Sequence, residues 1–323
     1  MLIRVVGLVV LVILSTIAGL IAFGTAKAPT SSGLVAAFKG ADYASLPAVE
    51  HYAAHDGASL GYRRYSAASP VSHVAVLIHG ASDSGFALDR LAQSLQSANV
   101  TTYVPEERGH GSSLPHGDIA YVGQLDDDLA EFVADIQTRE PGATLRLAGF
   151  SSGGGFVLKF AGGPRAGLFD RYLLLSPALT YRGPIVRPKP KEPTAASSFS
   201  VPYVPRLIGL GLANAVGVHA FDSLPVLAFA VPEDSRVLTR TYSLRLLNNL
   251  IPADYIRAIA ALAHPTSVII GDADEFSIAS EVARAFAAAR PAVAVHILPS
   301  VGHMGLVKDP AALAAIGAWA TAE

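Results

Sequence analysis

Thr144-Leu145-Arg146-Leu147-Ala148-Gly149-Phe150-Ser151-Ser152-Gly153 is the stretch whose reading decides the fold. Its first half is an apolar run of strand type, and Phe156-Val157-Leu158 just beyond it continues a helix. Between the two stands a G-x-S-x-G pentapeptide, Gly149 to Gly153. Strand, sharp turn and helix in this order predict that Ser151 takes strained backbone angles and holds its hydroxyl exposed at the top of a sheet. The flanking glycines leave room for the neighbouring strand and helix. Ser, Gly and Ala are common in this chain, so the pentapeptide alone does not make Ser151 a nucleophile, and the surrounding pattern has to be read.

Outward from this turn the pattern alternates. Glu50–His55 and Ser59–Tyr65 read as strands around Asp56-Gly57, a hairpin signal. Strands are then expected at 73–78, 101–104, 144–150, 171–175, 266–270 and 292–298, with helices at 86–97, 122–138, 152–160, 278–289 and 310–321. Continuous apolar strands alternating with helices predict a parallel sheet covered on both faces, with an antiparallel hairpin added at one edge. The rhythm breaks over 180–265. Prolines and the basic run Arg187-Pro188-Lys189-Pro190-Lys191 fill its first part, and helical patches follow over 207–250. A connection of that length in a doubly wound domain is expected to be a lid or cap over a site. The chain thus divides into a core, 49–179 and 266–323, and a cap insertion, 180–265.

Composition excludes several functions. With 323 residues, 51% of them hydrophobic and 15% charged, the chain can bury a large core. A formal net charge of −2 and no long Lys/Arg cluster leave no electrostatic footprint for nucleic acid. The absence of cysteine removes disulfides, thiolate metal sites and a thiol nucleophile. No H-E-x-x-H spacing occurs among the ten histidines, so no metal site is expected.

At the N-terminus, Arg4 precedes an apolar run from Val5 to Phe23, long enough to span a bilayer as a helix. With Arg4 on the cytoplasmic side the remainder is exported. Residues 1–28 are read as a signal anchor or signal peptide, since Ala26-Lys27-Ala28 resembles a cleavage site with Pro29 behind it; residues 29–48 read as a linker. Two locations follow: membrane-anchored with the catalytic domain outside the cytoplasm, or secreted after cleavage.

Acyl transfer by a serine needs a base, a carboxylate to orient the base, and donors for the oxyanion. His303, in Gly302-His303-Met304-Gly305 after the last strand, is the candidate base. Asp274, in Gly271-Asp272-Ala273-Asp274-Glu275, is the candidate acid, with Asp272 and Glu275 as competitors on the same loop. The order Ser, Asp, His matches one of three chain orders that build this constellation. The amides of Ser152, at a helix start, and of Ala81, in His79-Gly80-Ala81-Ser82-Asp83, are the candidate oxyanion donors; His79 is expected to brace its loop.

His79-Gly80, Arg108-Gly109-His110-Gly111, the Ser151 turn, Gly271-x-x-Asp274 and Gly302-His303 together resemble the α/β-hydrolase superfamily, in particular its lysophospholipase and monoacylglycerol-lipase-like branch. The family usually has Asp-x-Arg-Gly-His-Gly where this chain has Glu106-Glu107-Arg108-Gly109-His110-Gly111, and Gly154 and Gly155 extend the turn beyond its common pattern. The resemblance implies an eight-stranded, mostly parallel sheet, a lid between strands six and seven, and no cofactor. The expected function is hydrolysis of carboxylic esters, lysophospholipid, monoacylglycerol and other hydrophobic esters among them. An aminopeptidase or amidase on the same fold is the alternative, with Glu233 and Asp234 as residues to hold a substrate amine. A non-catalytic binding protein is the third reading, disfavoured because every catalytic position is filled.

Overall fold

His73–Ile78 and Thr144–Phe150 are apolar without alternation because both of their faces are covered, and they pair in parallel at the centre of the sheet. The computed structural model describes residues 2–29, 46–68, 72–188, 199–232, 235 and 237–322. Most of the expected linker lies outside the described residues. In chain order the main sheet is made of β1 (Glu50–Ala53), β2 (Ser59–Tyr65), β3 (His73–Ile78), β4 (Thr101–Pro105), β5 (Thr144–Phe150), β6 (Arg171–Leu175), β10 (Thr266–Gly271) and β11 (Ala294–Leu298). Its spatial order is β1-β2-β4-β3-β5-β6-β10-β11. Strands β4 through β11 in that order run parallel, while β2 pairs antiparallel with both β1 and β4. This is the sheet the sequence predicts, with the hairpin at one edge.

Side chains leave the central strands alternately toward two apolar layers. Val74, Val76 and Ile78 point to one layer with Leu129 and Phe132 of α3 (Gln124–Arg139), Phe156 of α4 (Ser152–Ala161) and Phe286 of α8 (Ala279–Ala289). Ala75 and Leu77 point to the other, with Leu91 and Leu95 of α2 (Asp89–Ser97) and Ile316 and Trp319 of α9 (Pro310–Thr321). Each such buried Leu, Ile or Phe contributes roughly 1.5–3 kcal/mol relative to exposure. The ladder register sets Ile78 beside Gly149, Phe150 beside Leu175, and Gly271 beside Leu298. The loops that follow these strands therefore emerge at one rim, where ligands of open α/β sheets bind.

The cap enters between β6 and β10, the sixth and seventh strands of the main sheet. Its core is a small antiparallel sheet of β7 (Ser200–Pro202), β8 (Pro225–Phe229) and β9 (Thr241–Ser243), ordered β7-β8-β9. Helices α5 (Val204–Ala215) and α6 (Leu244–Leu250) pack against it, while α7 (Tyr255–Ala260) returns to the core and packs on α8 and α4. The helical patches over 207–250 are present as parts of α5 and α6, but the three strands carry no readable period because none exceeds five residues. At the N-terminus α1 (Leu2–Phe23) has a mean hydropathy of 2.8 over its most apolar window, and only 6% of that window is buried. Its 22 residues rise about 33 Å, enough to cross a hydrocarbon layer.

Candidate active site

Ser151 sits between β5 and α4 with φ 57° and ψ −117°, in a region that L-residues seldom occupy. The tight packing of the turn imposes this. A Cβ on Gly149 would fall 2.2 Å from the Gly153 carbonyl oxygen, and one on Gly153 would fall 2.4 Å from the His79 carbonyl oxygen, so both positions exclude any side chain. Main-chain bonds hold the strained residue in place: the Ser151 amide donates to Leu175 at 2.9 Å, and the Ala178 amide donates to the Ser151 carbonyl at 2.8 Å. Strain confined by a rigid frame is a mark of sites where side-chain direction matters.

His303 opens the short helical turn His303–Val307 that follows β11. Its Nε2 lies 3.0 Å from Ser151 Oγ, and its Nδ1 lies 2.7 Å from Asp274 Oδ2. The rings of Phe150 and Phe276 stand 4.8 Å and 4.7 Å from the imidazole, centroid to centroid, and leave it little freedom to turn. Asp274, fully buried, accepts the Phe276 and Ser277 amides on Oδ1, each at 2.8 Å. Burial pushes its carboxyl up, but the adjoining His303 and the hydrogen bonds to the carboxylate outweigh burial and hold it at about 2. An ionised Asp274 accepts only, so Nδ1 of His303 carries the proton and Nε2 is left free to accept from the serine hydroxyl.

The competing acids are engaged elsewhere. Asp272 accepts the Ser300 amide at 2.7 Å, while Glu275 accepts the His303 amide at 2.7 Å and so fixes the backbone of the residue that it does not contact through the ring. Ser152 begins α4, where its amide is part of the positive end of the helix dipole, and Ala81 lies on the loop after β3; neither amide has an acceptor among the described residues. Both residues line the same cavity as Ser151 and His303.

Sequence reasoning missed how the cap holds the Ala81 loop. Ser82, with φ 70°, donates its amide to Tyr242 Oη at 2.7 Å and its hydroxyl to the Thr239 carbonyl at 2.7 Å, and it accepts the Thr239 amide at 2.9 Å. Tyr242 in turn donates to His110 Nε2 at 2.5 Å. Burial keeps His110 well below the usual histidine range, so its Nε2 is available as an acceptor. No sequence period links residue 82 to residue 242; only the folded cap brings them together. At the other root of the cap, Arg187 Nε donates to the Asp274 carbonyl at 2.7 Å, and Val186 pairs with Ser277.

His79, Glu107 and His110 place ligand-type atoms within 4.8 Å of one another, a gathering that local spacing does not reveal. All four imidazole nitrogens are already occupied: His79 donates Nδ1 to Gly80 and accepts the Glu107 amide, and His110 bridges Glu107 and Tyr242. Burial pushes His79 down to about 4 and the Glu107 carboxyl up to about 8, so the group is uncharged near neutrality and suits a brace for two loops better than a cation site.

Above Ser151 lies a cavity of about 1040 Å³. Its base is formed by the rim of the sheet and its roof by the cap, through Leu207, Leu212, Val226, Phe229, Leu244 and Leu247. Asp83 also lines it, buried, with burial pushing its carboxyl up to about 7. Glu233 and Asp234, the residues considered for holding an amine, lie outside the described residues, as do Lys189 and Lys191.

With the rim geometry in view, comparison with known proteins gives the kinship. The family model described as "Serine aminopeptidase, S33" (Hydrolase_4) matches residues 69–310, three quarters of the chain. This chain belongs to that α/β-hydrolase family. Among solved structures, a soluble variant of monoglyceride lipase from Saccharomyces cerevisiae is similar over 86% of this chain and 96% of its own, with TM-score 0.62 at 15% identity. A Paleococcus ferrophilus monoacylglycerol lipase matches 80% of this chain and 97% of its own, with TM-score 0.59 at 18% identity. A bacterial membrane phospholipase A covers 99% of this chain and 98% of its own, with TM-score 0.57 at 19% identity. At these identities the likeness speaks to fold, and the fold it indicates is the α/β-hydrolase one.

Proposed function

We propose that this member of the family hydrolyses carboxylic esters with apolar acyl chains, through an acyl-enzyme on Ser151. The observation that carries the reading is the unbroken chain from Ser151 Oγ to His303 to Asp274, 3.0 Å and 2.7 Å per link, at the base of an apolar cavity. Ser151 Oγ attacks the ester carbonyl while His303 Nε2 takes its proton, and Asp274 stabilises the imidazolium that forms. The oxyanion is received by the amides of Ser152 and Ala81. His303 then returns the proton to the departing alcohol, and a water activated by the same nitrogen releases the acid. Protein groups and water complete the cycle without a cofactor.

The cavity, at the top of the roughly 300–1,000 Å³ usual for small-molecule pockets, accommodates a lipid-like acyl group, and α1 places the enzyme beside its substrate as a membrane anchor. The test is a matched set of p-nitrophenyl acetate, octanoate and palmitate beside an aminoacyl anilide, with wild-type protein and Ser151→Ala. Esters are turned over by wild type only, and a fluorophosphonate probe labels Ser151. Undiminished ester turnover in Ser151→Ala removes the mechanism, and faster cleavage of the anilide moves the assignment to amides.

A further inference from the structure

The last two turns of α1 are docked. Ile17, Leu20 and Ile21 share one helical face, and this face, with Gly24 just past the helix end, rests on α5 of the cap with Ile21 buried, whereas Leu2 to Leu14 stand exposed. Two glycines permit the approach. A Cβ on Gly209 of α5 would lie 2.9 Å from Ile21 Cγ1 and 3.0 Å from Leu20 Cβ, and one on Gly24 would lie 2.5 Å from the Arg206 amide nitrogen. Arg206 closes the joint: its buried guanidinium donates to the carbonyls of Ile21 at 2.7 Å, Ala22 at 3.2 Å and Pro225 at 2.9 Å. The last carbonyls of a helix lack intrahelical partners and carry the negative end of its dipole, so a cation placed there meets both needs at once.

This joint is difficult to reconcile with a leader that is cut away. Cleavage after Ala28 would remove two of the three acceptors of Arg206, which has no ion-pair partner among the described residues, and leave a buried cation underbonded. α5 also contributes to the cavity through Val204, Leu207, Ile208 and Leu212. We propose that α1 is retained and acts as a fixed part of the cap, clasping α5 through Arg206 and Gly209 so that the anchor sets the position of the cavity wall. Retention and docking stand on the joint itself; the link to acyl selectivity rests on the ester-hydrolase reading above.

The chain holds no cysteine, which makes a cross-link test clean. In membranes carrying the full chain, the double variant Leu20→Cys with Gly209→Cys loses both maleimide-reactive thiols on mild oxidation, while each single variant keeps one. Intact mass of the extracted wild-type protein includes residues 1–28. Two free thiols after oxidation, or a mature chain beginning at Pro29, overturns docking or retention irrespective of what the enzyme hydrolyses. The coupling is read with Gly209→Val and, as a milder variant, Arg206→Gln. Each lowers the ratio of palmitate to acetate ester turnover about fivefold or more while fluorophosphonate labelling of Ser151 stays complete. An unchanged ratio in both variants, with the short ester still hydrolysed, overturns the coupling; absence of any ester turnover in wild type instead removes the ester reading and leaves the cross-link result standing.

Discussion

Ser151, Asp274 and His303 are held by loops at the ends of β5, β10 and β11, whereas the cavity wall above them comes from α5, β8 and α6 of the cap. The first group takes its positions from a ladder of main-chain hydrogen bonds, whose register is fixed by which face of each strand is buried. The second takes its positions from side-chain packing of short elements. On the mechanism proposed above, the reacting atoms are set by ladder register and the wall by packing, which assigns chemistry and selectivity to separable parts of one molecule.

The sharpest way to break this comparison is at the rim. Ser151→Ala is expected to lower kcat by roughly 10⁶-fold and to abolish fluorophosphonate labelling, with thermal stability nearly unchanged because alanine keeps the same Cβ and the same backbone angles. Asp274→Asn is expected to cost roughly 10⁴-fold in kcat, since an amide in that place stabilises the wrong tautomer of His303; steady-state kinetics on a short ester measures it. If either variant lost less activity than a cap substitution, the division between rim and wall would fail.

Much of the rim was readable before folding because its signals are local. Gly149-x-Ser151-x-Gly153 lies within one strand-turn-helix, and Gly271-x-x-Asp274 and Gly302-His303 each follow an apolar strand. The sheet and the helices came through for the same reason: long apolar periods dominate short windows. The cap did not. Its strands have three to five residues, and the contacts that give it meaning, Ser82 with Tyr242 and Arg187 with the Asp274 loop, join positions 160 and 87 residues apart. Glu275 was read as a rival to Asp274, and its bond to the His303 amide depends on how two loops meet rather than on either sequence alone.

Tyr242→Phe tests one of the places where cap and rim are joined by side-chain bonds, the one that reaches the Ala81 loop. Losing the hydroxyl frees the Ser82 amide and loosens the Ala81 loop, so kcat is expected to fall about tenfold with KM nearly constant, less than the roughly 10²–10³-fold typical of deleting an oxyanion donor outright. Within the wall alone, Leu212→Trp is expected to leave acetate ester turnover within about twofold and to reduce palmitate turnover roughly tenfold, a difference read from kcat/KM across the ester series.

The smallest expected effect is on stability. Glu107 is buried with its carboxyl pushed up to about 8, so the folded chain holds a proton that the unfolded chain releases near pH 4.5. Its contribution is complete below that lower value and declines as pH rises toward 8. Glu107→Gln, neutral at every pH, is therefore expected to flatten the fall in Tm between pH 6 and 9 by roughly 5 °C, measured by thermal melts across that range.

Arg187 and Val186 fasten the first residues of the cap to the very loop that carries Asp274. Any displacement of this side of the cap is therefore expected to pull on the main chain that carries the proposed orienting carboxylate. Under the proposed mechanism, room for a bulky guest is expected to open at the far margin of the roof, away from the loop that orients the imidazole.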